Sequence, residues 1–220
     1  MKQPRKTLCS GLLLLGAFIL WTATVCLADV QAIGPEGSSV GLATMNRFVH
    51  DLTGVHMTLY TLTDWLGLIP IGFMLGFAIL GLVQWVKRKH IGSVDRSLLI
   101  LGVFYLSVMA AYLFFEQVVI NRRPVLIDGF LEASYPSSTT MLALCVMPTA
   151  LWQFNNRIQN RMFRRWIAGL IMIFTIFMVV GRLLSGVHWF SDIVGGILLS
   201  AGLTKLYRFA CCKPGKEERR

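Results

Sequence analysis

The chain has 220 residues, of which 55% are hydrophobic and only 15% are charged, and its mean hydropathy is +0.63. This composition excludes an ordinary soluble domain and indicates an integral membrane protein. The net charge of +10 does not by itself indicate nucleic-acid binding, because helical membrane proteins gather Lys and Arg on their cytoplasmic side. We therefore expect the lipid bilayer as a partner, and no nucleic acid.

The first predicted element is an apolar run over residues 8–28, which follows a basic segment containing Lys2, Arg5 and Lys6. This order resembles a secretory signal peptide, but the apolar core of a signal is usually shorter. A run of about 20 residues is long enough to span a bilayer. Residues 1–28 are thus predicted to form an N-terminal tail and an uncleaved first transmembrane helix, with a cleaved signal as the alternative.

Residues 29–64 are predicted to form a loop on the outer side of the membrane. The loop begins with a turn rich in Gly, Pro and Ser, and apolar residues then recur at helical spacing. This pattern predicts a short amphipathic helix that lies at the membrane interface. The apolar positions are Leu42, Met45, Phe48, Val49 and Leu52.

Five further apolar runs predict membrane-spanning helices. The runs are residues 65–86, 97–120, 137–154, 166–184 and 193–207, of which the last is short unless it begins near Phe190. They fall within a predicted core domain over residues 65–208, which a basic cytoplasmic tail over residues 209–220 follows. The sequence therefore predicts an all-α fold, a six-transmembrane helical bundle.

The charge distribution predicts the orientation of this bundle. With the N-terminus placed inside, seventeen of the 21 basic residues fall on the inner side, as expected for cytoplasmic segments. Both termini are thus predicted to be cytoplasmic. The basic residues left on the outer side are Arg47, Arg122, Arg123 and Arg182, and they need an explanation because they break the bias.

Polar segments that are far apart in the sequence meet at this predicted outer face. Arg122 and Arg123 follow the third span, and Ser137, Ser138 and Thr139 open the fourth, with Ser137 as its predicted N-cap. Guanidinium groups match phosphate oxygens, and the free N–H groups of a helix start favour anions. The pattern predicts a phosphate-binding site, with simple capping of the helix as the alternative.

A second polar cluster lies between the last two runs and contains Arg182, His188 and Asp192. His188 and Asp192 are four residues apart, which on a helix places them on one face. A carboxylate there can hold one imidazole nitrogen and leave the other free as a base or nucleophile. Gly186 allows a bend that could turn Arg182 back toward the histidine. The alternative is a structural cluster, although ionisable groups near a membrane interior are costly and usually functional.

The order and spacing of these segments resemble the signature of the phosphatidic acid phosphatase type 2 and vanadium haloperoxidase superfamily. That signature reads Lys-x6-Arg-Pro, then Pro-Ser-Gly-His, then Ser-Arg-x5-His-x3-Asp. The matching positions are residues 116–124, 136–139 and 181–192, and the resemblance covers roughly residues 65–207. The chain looks most like the membrane lipid phosphatases of this superfamily.

The resemblance implies a role for each matching residue. His188 would be the nucleophile that forms a phosphohistidine, and Asp192 would orient it. Arg123, Arg182 and Ser137 would hold the phosphate, with Ser138 and Thr139 beside them. Water would hydrolyse the intermediate, and neither a metal nor another cofactor would be needed.

Three positions depart from the signature: Glu116 replaces Lys, Thr139 replaces the second His and Gly181 replaces Ser. Glu116 weakens phosphate attraction unless it pairs with Arg122 or Arg123, which a continuing helix would allow. Threonine is too weak an acid to protonate a departing lipid alkoxide. A diphosphate needs no such acid, because its leaving phosphate is already a stable anion. We therefore expect a preference for lipid diphosphates, such as a polyprenyl diphosphate.

The sequence thus predicts a multi-pass membrane lipid phosphatase that acts on the extracytoplasmic side, in the setting of a bacterial plasma membrane and its phospholipids or carrier lipids. Two alternatives remain open: an inactive homologue that binds lipid phosphates, and a phosphotransferase that passes the phosphoryl group from His188 to another acceptor. His50 and His56 in the outer loop are candidate replacements for the missing acid, although a lone loop histidine is usually a surface residue.

Overall fold

The computed structural model describes residues 2–212, which form eight α-helices and isolated β-bridges but no sheet. The predicted all-α class is confirmed. The helices are α1 (Lys2–Leu27), α2 (Ala43–Thr53), α3 (Met57–Leu66), α4 (Leu68–Arg88), α5 (Arg96–Gln117), α6 (Ser138–Arg157), α7 (Arg161–Leu184) and α8 (Phe190–Cys211). Two short 3-10 turns lie at Pro35–Gly37 and Ile91–Ser93.

Five helical stretches within residues 2–212 are long and apolar enough to cross a membrane, so the protein is a multi-pass membrane protein. They are Arg5–Leu27, Met57–Arg88, Arg96–Gln117, Arg161–Leu184 and Phe190–Cys211. The predicted span that is missing from this set is α6, whose 20 residues include polar side chains. Because α6 packs against α4, α5, α7 and α8, it buries Thr149 and Gln153 away from lipid. Its crossing of the membrane, and hence the six-span topology, stays a prediction.

The second predicted span begins earlier than expected. The apolar pattern predicted residues 65–86, whereas α3 and α4 together run from Met57 to Arg88 and join at Gly67. The prediction missed α3 because threonines and Asp64 interrupt its apolar pattern. This extension brings α3 against α7, next to one of the predicted site residues.

The predicted helix of the outer loop is present as α2. Its Phe48 and Leu52 side chains are 64% and 71% exposed, which suits a helix that lies on a membrane surface. The loop that leads into α2 is closed by an antiparallel bridge between Gln31 and Val40. The interfacial position of α2 stays a prediction, as do the domain boundaries proposed from the sequence.

Helix α1 packs along α8. Gly202 permits this approach, because a Cβ atom there would lie 2.7 Å from the Leu15 side chain. At one end of the pair, the Trp21 indole donates to the Ser191 carbonyl oxygen at 3.0 Å, and the Thr22 hydroxyl lies 2.6 Å from the Tyr135 hydroxyl. The first helix therefore supports the same loops that carry the predicted site residues.

A polar network closes the opposite end of the bundle. Asp95, between α4 and α5, forms ion pairs with Arg88 at 3.5 Å and Arg157 at 3.1 Å, and it accepts from the Gln84 amide at 2.9 Å. Cys211 and Cys212 end the described part of the chain, so the predicted basic tail over residues 209–220 lies mostly outside the described residues.

Candidate active site

Three chain segments converge at the end of the bundle where Trp21 meets Ser191. The loop after α5 carries Arg123, the start of α6 carries Ser138, and the turn between α7 and α8 carries His188. They border a cavity of about 410 Å³. Its lining also includes Tyr112, Glu116, Arg122, Glu132, Ser134, Tyr135 and Pro136.

Glycine shapes the turn between α7 and α8. Gly186 adopts a φ of +68°, and a Cβ atom on it would lie 1.9 Å from the Gly54 carbonyl oxygen. Both features require glycine. After this turn, Asp192 Oδ2 accepts from the Trp189 backbone N–H at 2.9 Å and stabilises the start of α8. The turn and the cap together place the His188 and Asp192 side chains next to each other.

His188 is 3% exposed and has a different neighbour at each ring nitrogen. Its Nε2 lies 3.3 Å from Arg123 Nη1, and its Nδ1 lies 3.7 Å from Asp192 Oδ2. Because arginine only donates, Nε2 carries the lone pair and Nδ1 carries the proton. The Nδ1 contact is too long for a hydrogen bond, but such contacts often shorten when substrate binds.

The surroundings of His188 keep its imidazole neutral. Burial lowers the pKa of His188 well below its usual value, and the positive charges of Arg123 and Arg182 lower it further, while the Ser134 backbone opposes them. A neutral imidazole with a free Nε2 lone pair is the nucleophilic form.

Asp192 is fully buried and accepts several hydrogen bonds. Besides the Trp189 N–H, the Asn121 amide donates to Oδ1 at 3.3 Å, and the Ser191 hydroxyl lies 3.4 Å from the same oxygen. Sequence analysis did not identify Asn121 or Ser191, because a lone polar residue beside a motif carries no periodic signal.

Arg123 is buried at the cavity and pairs with Glu132. Its Nε lies 3.0 Å from Glu132 Oε2, although this ion pair does not have hydrogen-bond geometry. Within residues 2–212, Glu116 forms no ion pair with Arg122 or Arg123, the pairing that would have kept it from weakening phosphate attraction. Helix α5 ends at Gln117, so Arg123 does not share a helical face with Glu116, and Arg122 donates to the Leu131 carbonyl oxygen at 2.9 Å.

Arg182 is 1% exposed and turns toward α3. Its guanidinium lies 3.4 Å from Asp64 Oδ1, donates to the Thr63 hydroxyl at 3.4 Å, and stacks over the Tyr60 ring at 4.8 Å. The predicted bend at Gly186 is present, but the guanidinium makes no hydrogen bond to His188 and acts on it through charge alone.

Tyr60 also connects the two arginines, because Arg123 lies over the same ring at 5.8 Å.

Gly181, which replaces the serine of the family signature, has a packing role. A Cβ atom on Gly181 would lie 2.8 Å from the Thr63 methyl group, so glycine lets α3 approach α7.

Ser137 precedes α6 at the N-cap position, but its side chain does not cap the helix. The hydroxyl donates to the Thr140 hydroxyl at 3.0 Å, and no side chain caps the first N–H groups of α6. Those groups are free to bind an anion. Ser138 lines the cavity, whereas the methyl group of Thr139 faces Gly67 at the α3–α4 junction.

The two loop histidines lie apart from the cavity lining. His50 packs against the Trp189 ring, with centroids 5.4 Å apart, and burial lowers the pKa of His50. His56 is exposed, and its Nε2 lies 2.9 Å from the Thr53 carbonyl oxygen. The His50 side chain therefore contacts Trp189, the residue that follows His188.

The fold and the site define a helical membrane protein with a buried histidine and two arginines at one end of its bundle. The family model of the PAP2 superfamily matches residues 98–210, a little over half of the 220 residues. The chain belongs to the PAP2 superfamily, which confirms the resemblance seen in the sequence. The family match contains Arg123, Ser137, His188 and Asp192, whereas α1 to α4 lie outside it.

A solved structure from Bacillus subtilis has a similar fold. It is described as the first transmembrane PAP2 type phosphatidylglycerolphosphate phosphatase, and the TM-score is 0.55 at 19% sequence identity. The similarity covers 90% of this chain and 94% of that chain, so it extends beyond the residues of the family match. No curated protein matches the chain by sequence.

Proposed function

We propose that this protein is an integral membrane lipid phosphatase that transfers the phosphoryl group of its substrate to His188 and then to water. The observation that carries the proposal is the position of His188: its neutral Nε2 lies 3.3 Å from Arg123, and Asp192 lies behind the ring. Membership of the PAP2 superfamily and the fold shared with a lipid phosphate phosphatase support the same reaction.

In the proposed reaction, the substrate phosphate binds Arg123 and the uncapped N–H groups of α6. The Nε2 lone pair of His188 attacks phosphorus, and the bond to the leaving oxygen breaks. Asp192 then stabilises the positive ring through the Nδ1 proton, and water releases phosphate from the phosphohistidine. Glu132 pairs with Arg123 and Asp64 pairs with Arg182, and we propose that the substrate phosphate displaces these carboxylates.

We further propose that lipid diphosphates are the preferred substrates. Thr139 is absent from the lining of the cavity that Ser138 and His188 border, and a threonine hydroxyl is a weak acid, so both points support the view that this residue does not protonate a leaving alkoxide. When the terminal phosphoryl group of a lipid diphosphate passes to His188, the leaving group is the lipid monophosphate, a stable anion that does not need that proton. The charge bias of the loops supports a six-span topology in which this cavity opens on the extracytoplasmic side.

Phosphate release by the purified protein tests the function. We expect faster release from undecaprenyl diphosphate than from phosphatidic acid, and loss of release in His188→Ala. His90→Ala is the matched control, because His90 lies in the turn between α4 and α5 and its side chain accepts from the Gly92 N–H. Faster release from phosphatidic acid would contradict the proposed preference. Absence of release from every lipid would favour the inactive binder, and label on an acceptor lipid would favour the phosphotransferase.

A further inference from the structure

We infer that Asn46, a residue of the outer loop, is a positioning residue for the His188–Asp192 pair and acts through the hydroxyl of Ser191. This inference rests on the proposed function of His188. It concerns a residue outside the part of the chain that the family model matches, residues 98–210. The residues that connect Asn46 to Asp192 are all buried.

Asn46 binds the start of α8 through both ends of its amide. Its Oδ1 accepts from the Ser191 backbone N–H at 3.0 Å, and its Nδ2 donates to the Ser191 hydroxyl at 2.9 Å. The same Nδ2 donates to the Gly41 carbonyl oxygen at 2.7 Å. The amide orientation follows from these partners, because a backbone N–H can only donate and a carbonyl oxygen can only accept.

The contacts of Asn46 and Asn121 orient the hydroxyl group of Ser191. A hydroxyl has one proton and two acceptor lone pairs. Asn46 Nδ2 donates to Ser191 Oγ, and Asn121 Nδ2 lies 3.3 Å from the same oxygen, so both lone pairs have a donor. The hydroxyl proton then points to Asp192 Oδ1 at 3.4 Å. The Asp192 carboxylate thus has a fixed hydrogen-bond donor at Oδ1, whereas its Oδ2 faces His188.

The loop that carries Asn46 is itself held in place. The Gly41 N–H donates to Asn121 Oδ1 at 3.2 Å, and the Gly41 carbonyl oxygen accepts from Asn46. Both asparagines therefore bind the backbone of Gly41. Gly41 also packs tightly on α1, since a Cβ atom there would lie 1.6 Å from the Val25 carbonyl oxygen. The outer loop, α1 and α8 thus form one rigid support behind Asp192.

The orientation of the Asp192 carboxylate affects which ring nitrogen of His188 carries the proton. Arg123 favours the Nδ1–H form from the Nε2 side, and the charge of the Asp192 carboxylate, 3.7 Å from Nδ1, favours it further. The Ser191 hydroxyl helps to hold that carboxylate in its present orientation. Asn46→Asp keeps the acceptor for the Ser191 N–H but replaces the amide donor with a second carboxylate. The Ser191 proton would then turn toward the new carboxylate, and Asp192 would lose this donor.

The test combines kinetics with the ring nitrogen resonances of His188 in protein labelled with 15N-histidine. For Asn46→Asp we expect about a tenfold lower kcat with KM within about twofold of the parent, as for other residues that orient a catalytic group. The two ring resonances, assigned by their loss in His188→Ala, should move closer together as the Nε2–H tautomer becomes populated. Asn156→Asp, at an exposed asparagine far from the site, is the matched control and should leave both readouts unchanged.

Ser191→Ala keeps the backbone bond to Asn46 and removes only the hydroxyl, so it tests the inference even if Asn46→Asp does not fold. It should give the same change in the ring resonances, and the double variant should add little to either single one. Ring resonances and kcat that match the parent in a folded Ser191→Ala protein would overturn the inference. The resonances require no turnover. If the parent releases no phosphate from any lipid and the variants still shift the resonances, the proposed function is refuted and the positioning role is kept.

Discussion

At the scale of single residues, the environment of His188 sets the chemistry that the site can perform. The ring is buried between a carboxylate on its Nδ1 side and a guanidinium on its Nε2 side. Spacing predicted that Asp192 lies near His188, but it assumed a shared helical face, whereas His188 lies in the turn before α8 and the capping contact of Asp192 with the Trp189 N–H brings the two side chains together. It could not predict that Arg123 faces Nε2 or that Arg182 turns toward Asp64, since these partners come from segments far away in sequence.

The lowered pKa of His188 predicts the acid limb of the pH profile. A histidine whose pKa lies below the usual 6.5 stays neutral, and therefore nucleophilic, at pH values where a free histidine would be protonated. We expect kcat/KM of the wild type, which reports the free enzyme, to be retained on acidification through pH 6.5 and to fall only at lower pH. A loss of kcat/KM centred at or above pH 6.5 would show that His188 is not the titrating nucleophile.

The ion pair between Glu132 and Arg123 predicts that Glu132 competes with the substrate phosphate for Arg123. Its carboxylate is 43% exposed and lies 3.0 Å from the guanidinium, where a substrate phosphate would also bind. We expect Glu132→Gln to lower KM for a lipid phosphate by up to about fivefold, the size of a half-exposed ion pair of about 1 kcal/mol. Asp128→Asn, an exposed position in the same loop, is the control for net charge, and an equal fall of KM in both variants would contradict a specific competition.

At the scale of secondary-structure elements, most helices could be predicted from apolar periodicity, and the exceptions have physical causes. α3 was missed because polar residues interrupt its apolar pattern, and two of them have tertiary contacts: Thr63 is buried, and the exposed Asp64 pairs with Arg182. The predicted third span was too long at its outer end, because α5 ends at Gln117 even though the chain stays apolar through Ile120. Hydropathy indicates where a chain avoids water, but the end of a helix depends on tertiary contacts.

The geometry of the turn between α7 and α8 predicts that alanine is not tolerated at Gly186, whereas it is tolerated at Gly169 inside α7. Gly186→Ala combines a positive φ, which costs about 1–2 kcal/mol for other residues, with a clash against the Gly54 backbone. We expect it to lower the melting temperature and abolish phosphate release. Gly169→Ala, inside α7 with open space around its Cβ position, should leave both unchanged. Equal stability of the two variants would contradict the role assigned to Gly186.

At the scale of the whole molecule, the proposed topology depends on α6. The inner and outer loops follow from the charge bias, but α6 itself is more polar than the five helices that qualify as spans within residues 2–212. If α6 crosses the membrane, the turn between α6 and α7 is cytoplasmic. If neither α6 nor α7 crosses it, that turn lies on the same side as the cavity.

Cysteine labelling decides between these topologies. In a cysteine-free background, Ser39→Cys lies in the predicted outer loop and Asn156→Cys lies near the end of α6, and both positions are exposed. With a membrane-impermeant maleimide on intact cells, we expect labelling of Ser39→Cys alone, and labelling of both after permeabilisation. Labelling of both variants in intact cells would contradict six spans.

The central claim is that His188 becomes phosphorylated during turnover. The most direct measurement is rapid quenching of the purified protein with a lipid phosphate labelled on its terminal phosphoryl group, followed by analysis of protein-bound label. We predict label that is stable to base and labile to acid, as expected for a phosphohistidine. It should be present in the wild type and in His90→Ala and absent from His188→Ala. Phosphate release without protein-bound label, or label that persists in His188→Ala, would contradict the account.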